Sequence, residues 1–156
     1  MPKSVSTEKQ LAVREKTKLW LSGAVGFIET AYSIIYISKT KAVFHWPAFY
    51  VNLGYAYELS LKGFLANNGW NDEKLRKEIG HDLQKALSES RTSGFVPHSI
   101  DVSEAIDVIG PLHKSQSARY LTGEALQVPA DHEDALRVAS DHLNAVGDQL
   151  GISDWD

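Results

Sequence analysis

Apolar residues recur every three to four positions along most of this chain, the spacing that one buried face of an α-helix requires. The pattern predicts one long helix or two abutting helices at residues 7–38, and further helices at 47–66, 81–93, 102–112 and 131–150. No segment shows the alternation of apolar and polar residues that is typical of a strand. The sequence therefore predicts an all-α protein, an up-and-down bundle of about four to five helices.

The segment at 47–66 is predicted to be the central helix of this bundle. One apolar stripe along it consists of Tyr50, Leu53, Tyr57, Leu61 and Phe64, and a second side carries Ala56, Leu59 and Gly63. A helix that is apolar on more than one side packs against several neighbours, so this helix should be the most buried. After it, a short helical turn at 72–79 is cut by Gly80, and the next helix is expected to begin near His81 and Asp82.

Length and composition predict a single domain over residues 1–156. A chain of 156 residues that is 43% hydrophobic can bury a core of ordinary size. Residues 1–16 are rich in charged side chains, and we expect them to be a frayed or solvated helical extension.

Charge and cysteine content exclude several functional classes. The chain has no cysteine, which excludes disulfides, thiolate metal sites and a cysteine nucleophile. Its formal net charge is −4, so any contact with nucleic acid must use a local patch and not the whole surface. The N-terminus has no apolar signal segment, and the longest apolar stretch, residues 19–28, is too short to span a bilayer. We therefore predict a cytoplasmic protein with no membrane partner.

Three short motifs in this sequence resemble motifs of the HEPN superfamily of helical domains. Residues 57–65 read Y-E-L-S-L-K-G-F-L, residues 75–83 read L-R-K-E-I-G-H-D-L, and Arg119-Tyr120 follows later. Many bacterial members have a central E-L-x-L-K-x-x-L helix, a G-H-D-L turn that opens the next helix, and an R-Y pair before the final helix. The resemblance covers residues 50–125, and the helix order extends it over most of the chain. It implies the same helical bundle that the periodicity predicts.

The resemblance places the G-H-D-L turn beside the central helix and so predicts a polar network there. The predicted members are Glu58, Lys62, His81, Asp82, Arg119 and Tyr120. Glu58 and Lys62 are four residues apart and so share one helix face. The alternative is a surface ion pair of little energetic value. Asp82 has an alternative role as the cap of the helix that follows it.

Catalytic members of this superfamily are RNases that use no metal, and their motif is an arginine followed four to six residues later by a histidine. The chain has three such pairs: Arg76 with His81, Arg91 with His98, and Arg137 with His142. Five residues along a straight helix leave two side chains about 140° apart, so the pair inside the last helix should not converge. The first pair straddles Gly80 and could face one pocket, which makes Arg76 and His81 the candidate catalytic residues.

One departure puts RNase activity in doubt. Catalytic members usually have Asn, Asp or His directly after the arginine, whereas Lys77 follows Arg76. The chemistry would still be sound, because cleavage of RNA by its own 2′-hydroxyl needs the proton transfer and charge stabilisation that His and Arg supply.

Three functions therefore remain open. The first is a HEPN-like regulatory module that binds a partner or a nucleotide, the second a metal-independent endoribonuclease of the toxin–antitoxin or phage-defence type, and the third a helical bundle without a ligand. We predict a homodimer, with RNA and an antitoxin or nucleotidyltransferase-like protein as candidate partners. No cofactor and no metal are predicted, since the histidines lack metal-ligand spacing and His113 stands alone.

Overall fold

The computed structural model describes residues 5–41, 43–116 and 131–153, and over these ranges the chain forms six α-helices and no strand. They are α1 (Val5–Lys41), α2 (Trp46–Asn67), α3 (Asp72–Lys74), α4 (Leu83–Thr92), α5 (Asp101–Ser115) and α6 (His132–Leu150). One π-helical turn, Leu75–Ile79, continues α3. The all-α prediction is confirmed. The count is above the four to five predicted, because the turn expected at 72–79 is a helix of its own.

Helix α2 is the centre of the bundle, as its two apolar sides predict. Pro47 lies in its first turn, where the missing N–H costs nothing, and 14 of the residues from Phe49 to Ala66 are buried. It contacts α1 along its length and also packs against α4, α5 and α6. A polar side chain on α2 is therefore held inside the protein unless it points into a gap between neighbouring helices.

Helix α1 is 37 residues long and packs against α2 and α6. Its first turns, residues 6–12, are exposed, whereas Leu21, Ala24 and Ala31 are fully buried. Near the solvated end, Arg14 donates a hydrogen bond to the carbonyl of Gly151, with 2.7 Å between Nη2 and O. This contact ties α1 to the end of α6.

One helix in the described part of the chain, Ser6–Lys41, is long and apolar enough to cross a membrane by length and composition. Its most apolar window has a mean hydropathy of 1.2, and 22% of that window is buried. The sequence-based expectation was that the longest apolar stretch, residues 19–28, is too short to span a bilayer. The helix that contains this stretch continues well beyond it on both sides. A core helix of a soluble protein passes the same test, so the cytoplasmic location stays a prediction.

Candidate functional site

Four side chains from three parts of the fold meet around one carboxylate at the middle of α2. Lys62 Nζ lies 2.6 Å from Glu58 Oε1, one helical turn away. His81 Nδ1 lies 2.8 Å from Oε2 of the same carboxylate, and His113 Nε2 lies 2.5 Å from that oxygen. We call these four residues the Glu58 cluster.

The Glu58 cluster is buried on one side and open on the other. The side chains of Glu58, Lys62 and His113 are 5%, 8% and 2% exposed, whereas that of His81 is 47% exposed. Burial by itself would raise the pKa of the Glu58 carboxyl group. Hydrogen bonds from the two histidines and from Lys62, together with the Lys62 charge, outweigh burial and lower the pKa to about 2. The carboxylate is therefore ionised at neutral pH.

An ionised carboxylate only accepts hydrogen bonds, which decides the proton positions on both imidazole rings. His81 must donate from Nδ1 and His113 from Nε2. The Nε2 atom of His81 is then the ring nitrogen that is not used by the carboxylate, on a side chain that is 47% exposed and lines a groove described below.

A tight turn before α4 positions His81. Gly80 has φ 55° and ψ −115°, and Asp82 N donates to the Ile79 carbonyl at 3.0 Å. These values match the first central position of a type II′ turn, where positive φ favours glycine strongly. His81 occupies the second central position, and its side chain is thereby directed back toward α2.

A missing side chain on α2 allows His113 to reach the carboxylate. A Cβ atom placed on Gly54 would lie 2.8 Å from His113 Cγ, closer than real contacts allow. The His113 ring therefore packs directly on the backbone of α2, one turn before Glu58. On its other side it meets the ring of Tyr55 edge to face, with 4.8 Å between ring centroids.

A groove of about 770 Å³ opens beside the cluster, between α1, α2 and the π-helical turn. Its lining residues are Lys16, Leu19, Trp20, Leu59, Lys62, Asp72, Leu75, Arg76, Gly80 and His81. Lys16 and Asp72 form an ion pair across it, with 2.6 Å between Nζ and Oδ2. The groove thus combines apolar walls with several cationic groups.

Arg76 is a cationic residue of the groove that forms no ion pair with the other described residues. It lies on the π-helical turn and is exposed. Within residues 5–41, 43–116 and 131–153, its guanidinium group has no hydrogen-bond or ion-pair partner, whereas Lys16 is paired with Asp72 and Lys62 with Glu58. Arg76 and His81 line the same groove, but no direct contact joins them. A phosphate group between them would meet one full positive charge and one oriented ring nitrogen.

Asp82 does not join the Glu58 cluster. Its carboxylate accepts from Lys85 N at 3.0 Å and from Lys114 Nζ at 2.9 Å, so it caps α4 and pairs with α5. The structure thus confirms the capping role that the sequence offered for Asp82, and corrects the expectation that this residue also belongs to the network. The cause is its N-cap position, which points the short side chain along α4 and away from α2. Arg119 and Tyr120 lie outside the described residues.

The other two arginine–histidine pairs have different environments. Arg137 is exposed and pairs with Asp134 and Asp141, while His142 is buried against Ser60, so this pair diverges as its helical spacing predicts. Arg91 and His98 are both exposed, at the end of α4 and in the loop after it. Arg91 lines a groove between α4 and α5 that His98 does not line, whereas Arg76 and His81 line one groove together.

His113 is the residue that sequence reasoning missed. Spacing between histidines in the chain could not find it, because its partners are 55 and 32 residues away. A usable signal was present: His113 continues the buried stripe of α5, which is formed by Val102, Ile106 and Ile109 at helical spacing. A histidine on a buried stripe needs a polar partner inside the protein.

The arrangement supports two kinds of chemistry. A carboxylate-oriented imidazole can exchange a proton at its free nitrogen, and a nearby unpaired guanidinium can bind a phosphate. Within the Glu58 cluster, the carboxylate of Glu58 and the imidazoles of His81 and His113 are also a set of ligands that could hold a divalent metal ion. No family model matches this chain, and neither does any curated protein or solved structure. The support for a function therefore comes from the geometry of the groove and the Glu58 cluster.

Proposed function

We propose that this protein is a HEPN-like cytoplasmic domain that binds a nucleotide or a short stretch of RNA in the groove beside the Glu58 cluster. The observation that carries the proposal is the unpaired guanidinium of Arg76 in a groove that also holds His81 and Trp20. Guanidinium groups bind phosphates through paired hydrogen bonds, and an unpaired one in a groove favours an anionic ligand.

The walls of the groove suit the rest of a nucleotide. Leu19 is 75% exposed and Trp20 is partly buried, so an apolar surface is available next to the cations. Bases stack on such surfaces in proteins that bind single-stranded nucleic acid. A ligand with its phosphate on Arg76 and its base against α1 would fill the groove, and the negative overall charge of the chain fits a local contact of this kind.

Binding can be tested by fluorescence anisotropy with a labelled single-stranded RNA and by competition with mononucleotides. Arg76→Ala should weaken binding at least about tenfold, because a charge-assisted phosphate contact is lost. Arg91→Ala is the matched control, since it removes the same charge from an exposed arginine on a different groove. Equal losses in the two variants, or no binding by the wild-type protein, would rule out the groove as the binding site.

A second candidate function is RNA cleavage without a metal, and the hydrogen bond between Glu58 and His81 favours it. With Nδ1 held at 2.8 Å from the carboxylate, Nε2 is the nitrogen that could accept the proton of a ribose 2′-hydroxyl. The 2′-oxygen would then attack the adjacent phosphorus while the bond from phosphorus to the 5′-oxygen breaks. The 5′-oxygen would take a proton from solvent, and a 2′,3′-cyclic phosphate would remain. Arg76 would stabilise the charge that develops on the phosphate.

The cleavage hypothesis predicts that wild-type protein cuts labelled RNA in the presence of a chelator and arrests growth on expression. His81→Asn should abolish both effects while the protein stays folded, because asparagine keeps a donor toward Glu58 but cannot exchange protons. If the wild-type protein neither cuts RNA nor arrests growth, binding without catalysis remains as the function.

Homodimerisation is part of this proposal, together with a candidate antitoxin or nucleotidyltransferase-like partner. Helix α1 leaves large apolar side chains exposed away from the groove, with Tyr32 and Tyr36 at 63% and 62%. A second copy could cover them. Sizing with light scattering at micromolar concentration should give twice the chain mass. Tyr36→Arg should shift that mass toward the monomer, whereas Val96→Arg, at a 67% exposed position outside α1, should not.

A further inference from the structure

We infer that Glu58, His81 and His113 form a binding site for a single divalent transition-metal ion of the zinc type. Each offers one ligand atom, and these three atoms lie within 4.8 Å of one another. Both imidazole nitrogens contact the same carboxylate oxygen, His81 Nδ1 at 2.8 Å and His113 Nε2 at 2.5 Å. Three potential ligands thus converge on one point from α2, from the Gly80 turn and from α5.

The donor set selects the class of ion. Two imidazoles and one carboxylate suit Zn²⁺, Co²⁺ and Ni²⁺, whereas Mg²⁺ and Ca²⁺ prefer sites made only of oxygen atoms. Three protein ligands leave a fourth position for water or for an anion, as in catalytic zinc sites. His81 is half-exposed and lines the groove, so the ion would enter from that side.

The surroundings hold two of the ligands in place. Lys62 binds Oε1 of Glu58 and leaves Oε2 to coordinate, which is the outer-shell contact that a ligating carboxylate commonly has. His113 is fixed by its packing on Gly54 and against Tyr55. Two ligands of one tetrahedral zinc ion lie about 3.3 Å apart, given bonds of about 2.0 to 2.2 Å. The two imidazole nitrogens, which are within 4.8 Å of each other, would therefore approach by up to about 1.5 Å and both would move slightly away from Oε2. His81, on its exposed turn, can make most of this movement.

Two features set the expected strength of binding. The ion must replace the two N–H protons that now point at the carboxylate, and the Lys62 charge opposes a second cation on the same group. We therefore expect a dissociation constant of about 1 μM, which is weaker binding than that of a closed structural zinc site. The ion and the Glu58–His81 hydrogen bond use the same nitrogen, so bound metal and metal-free RNA cleavage exclude each other. The inference does not depend on the proposed function.

The test uses the full chain after dialysis against a chelator and then against metal-free buffer. Zn²⁺ is titrated in competition with a chromogenic chelator, and Co²⁺ is titrated while its visible absorption reports four-coordinate binding. One ion should bind per chain, and saturating Zn²⁺ should raise the melting temperature. His81→Ala and His113→Ala should each weaken binding at least about tenfold. His98→Ala, at an exposed histidine outside the cluster, should leave it unchanged.

His113→Ala could fail to fold, because that side chain is buried, and His81→Ala on the exposed turn then decides the question. Wild-type protein that binds less than one ion per chain near this affinity would overturn the inference. The same holds if His81→Ala binds as tightly as wild type, since the ion would then sit elsewhere. Neither result would affect the nucleotide-binding proposal, which the Arg76→Ala measurement tests separately.

Discussion

Helix α2 carries two buried polar sites only two residues apart, and the two sites differ in whether their buried groups are charged. On one side, Glu58 is ionised and shares its two oxygens among Lys62, His81 and His113. On the other side, Ser60 meets His142 of α6, with 2.9 Å between Oγ and Nε2. The first site holds charge that its partners compensate, and the second holds no charge.

The His142 site stays neutral because it has too few partners. Ser60 donates its single hydroxyl proton to the Tyr57 carbonyl at 3.0 Å, so His142 donates to Ser60 from Nε2. Its Nδ1 atom is buried and has no hydrogen-bond partner among the described residues. Burial, and to a smaller degree His98, lower the pKa of His142 to about 3. A buried group keeps its charge only where hydrogen bonds and an opposite charge replace water.

The largest effect should follow from removing the charge at the centre of the Glu58 cluster. Glu58→Ala leaves the buried Lys62 ammonium and two imidazole N–H groups without an acceptor. We expect the free energy of unfolding to fall by about 3–5 kcal/mol, the usual cost of leaving one buried charge unpaired. Urea unfolding followed by circular dichroism measures this change.

The chain supplies a matched control in Glu73 and Lys77, a pair with the same four-residue spacing and the same 2.6 Å distance. These side chains are 67% and 60% exposed, so Glu73→Ala should cost less than about 0.5 kcal/mol. Similar losses in both variants would mean that the burial of Glu58 has no energetic consequence.

A smaller loss should follow from Gly54→Ala. The new methyl group would lie 2.8 Å from His113 Cγ, and the ring would have to move away from Glu58. We expect unfolding to become easier by about 1–3 kcal/mol despite the better helix propensity of alanine. Gly26→Ala on α1 meets no atom within 4 Å and should instead stabilise the protein by about 0.5–1 kcal/mol. Opposite signs support the packing argument, and two stabilised variants would contradict it.

The neutral site predicts a pH dependence of stability. Because burial lowers the pKa of His142 from 6.5 to about 3, the unfolded chain binds a proton below pH 6.5 that the folded protein excludes. The contribution of this group is complete above pH 6.5 and is lost by about 1.4 kcal/mol for each pH unit as the pH falls toward 3. His142→Gln cannot ionise, so urea unfolding between pH 7 and 4 should show a shallower slope than wild type. If stability changed with pH by the same amount in both proteins, the His142 ring would have to be protonated in the folded protein, which would contradict the prediction.

The smallest effect concerns the exposed member of the Glu58 cluster. His81→Ala removes a side chain that is 47% exposed, and Glu58 keeps Lys62 and His113 as partners. The free energy of unfolding should therefore fall by less than about 1 kcal/mol, since no buried group is left unpaired. The shift in melting temperature measures this change. A loss as large as that of Glu58→Ala would show that the turn and α4 depend on this contact, and would make His81 a structural residue.

The sequence by itself determined the elements of this protein. Local periodicity and stop signals predicted α2 as the central helix, and every helix of ten or more residues begins and ends within a few positions of its predicted bounds. The spacing of Glu58 and Lys62 placed them on one face, and Gly80 indicated the sharp turn that holds His81. These features depend on residues within about one or two helical turns of each other, a range over which backbone geometry is regular.

Tertiary structure alone decided which distant side chains meet. His113 seemed isolated in the sequence and instead completes the Glu58 cluster, while Asp82, besides capping α4 as its position predicts, pairs with Lys114 of α5 and not with the cluster. Helical spacing already separated His142 from Arg137, but only the packing of α6 on α2 brings His142 to Ser60 as a neutral core residue. These contacts depend on how helices far apart in the chain are rotated against α2, and the contact of His113 depends also on the absence of a side chain at Gly54. Helix periodicity shows which residues face inward, but the packing of neighbouring helices decides which of them touch.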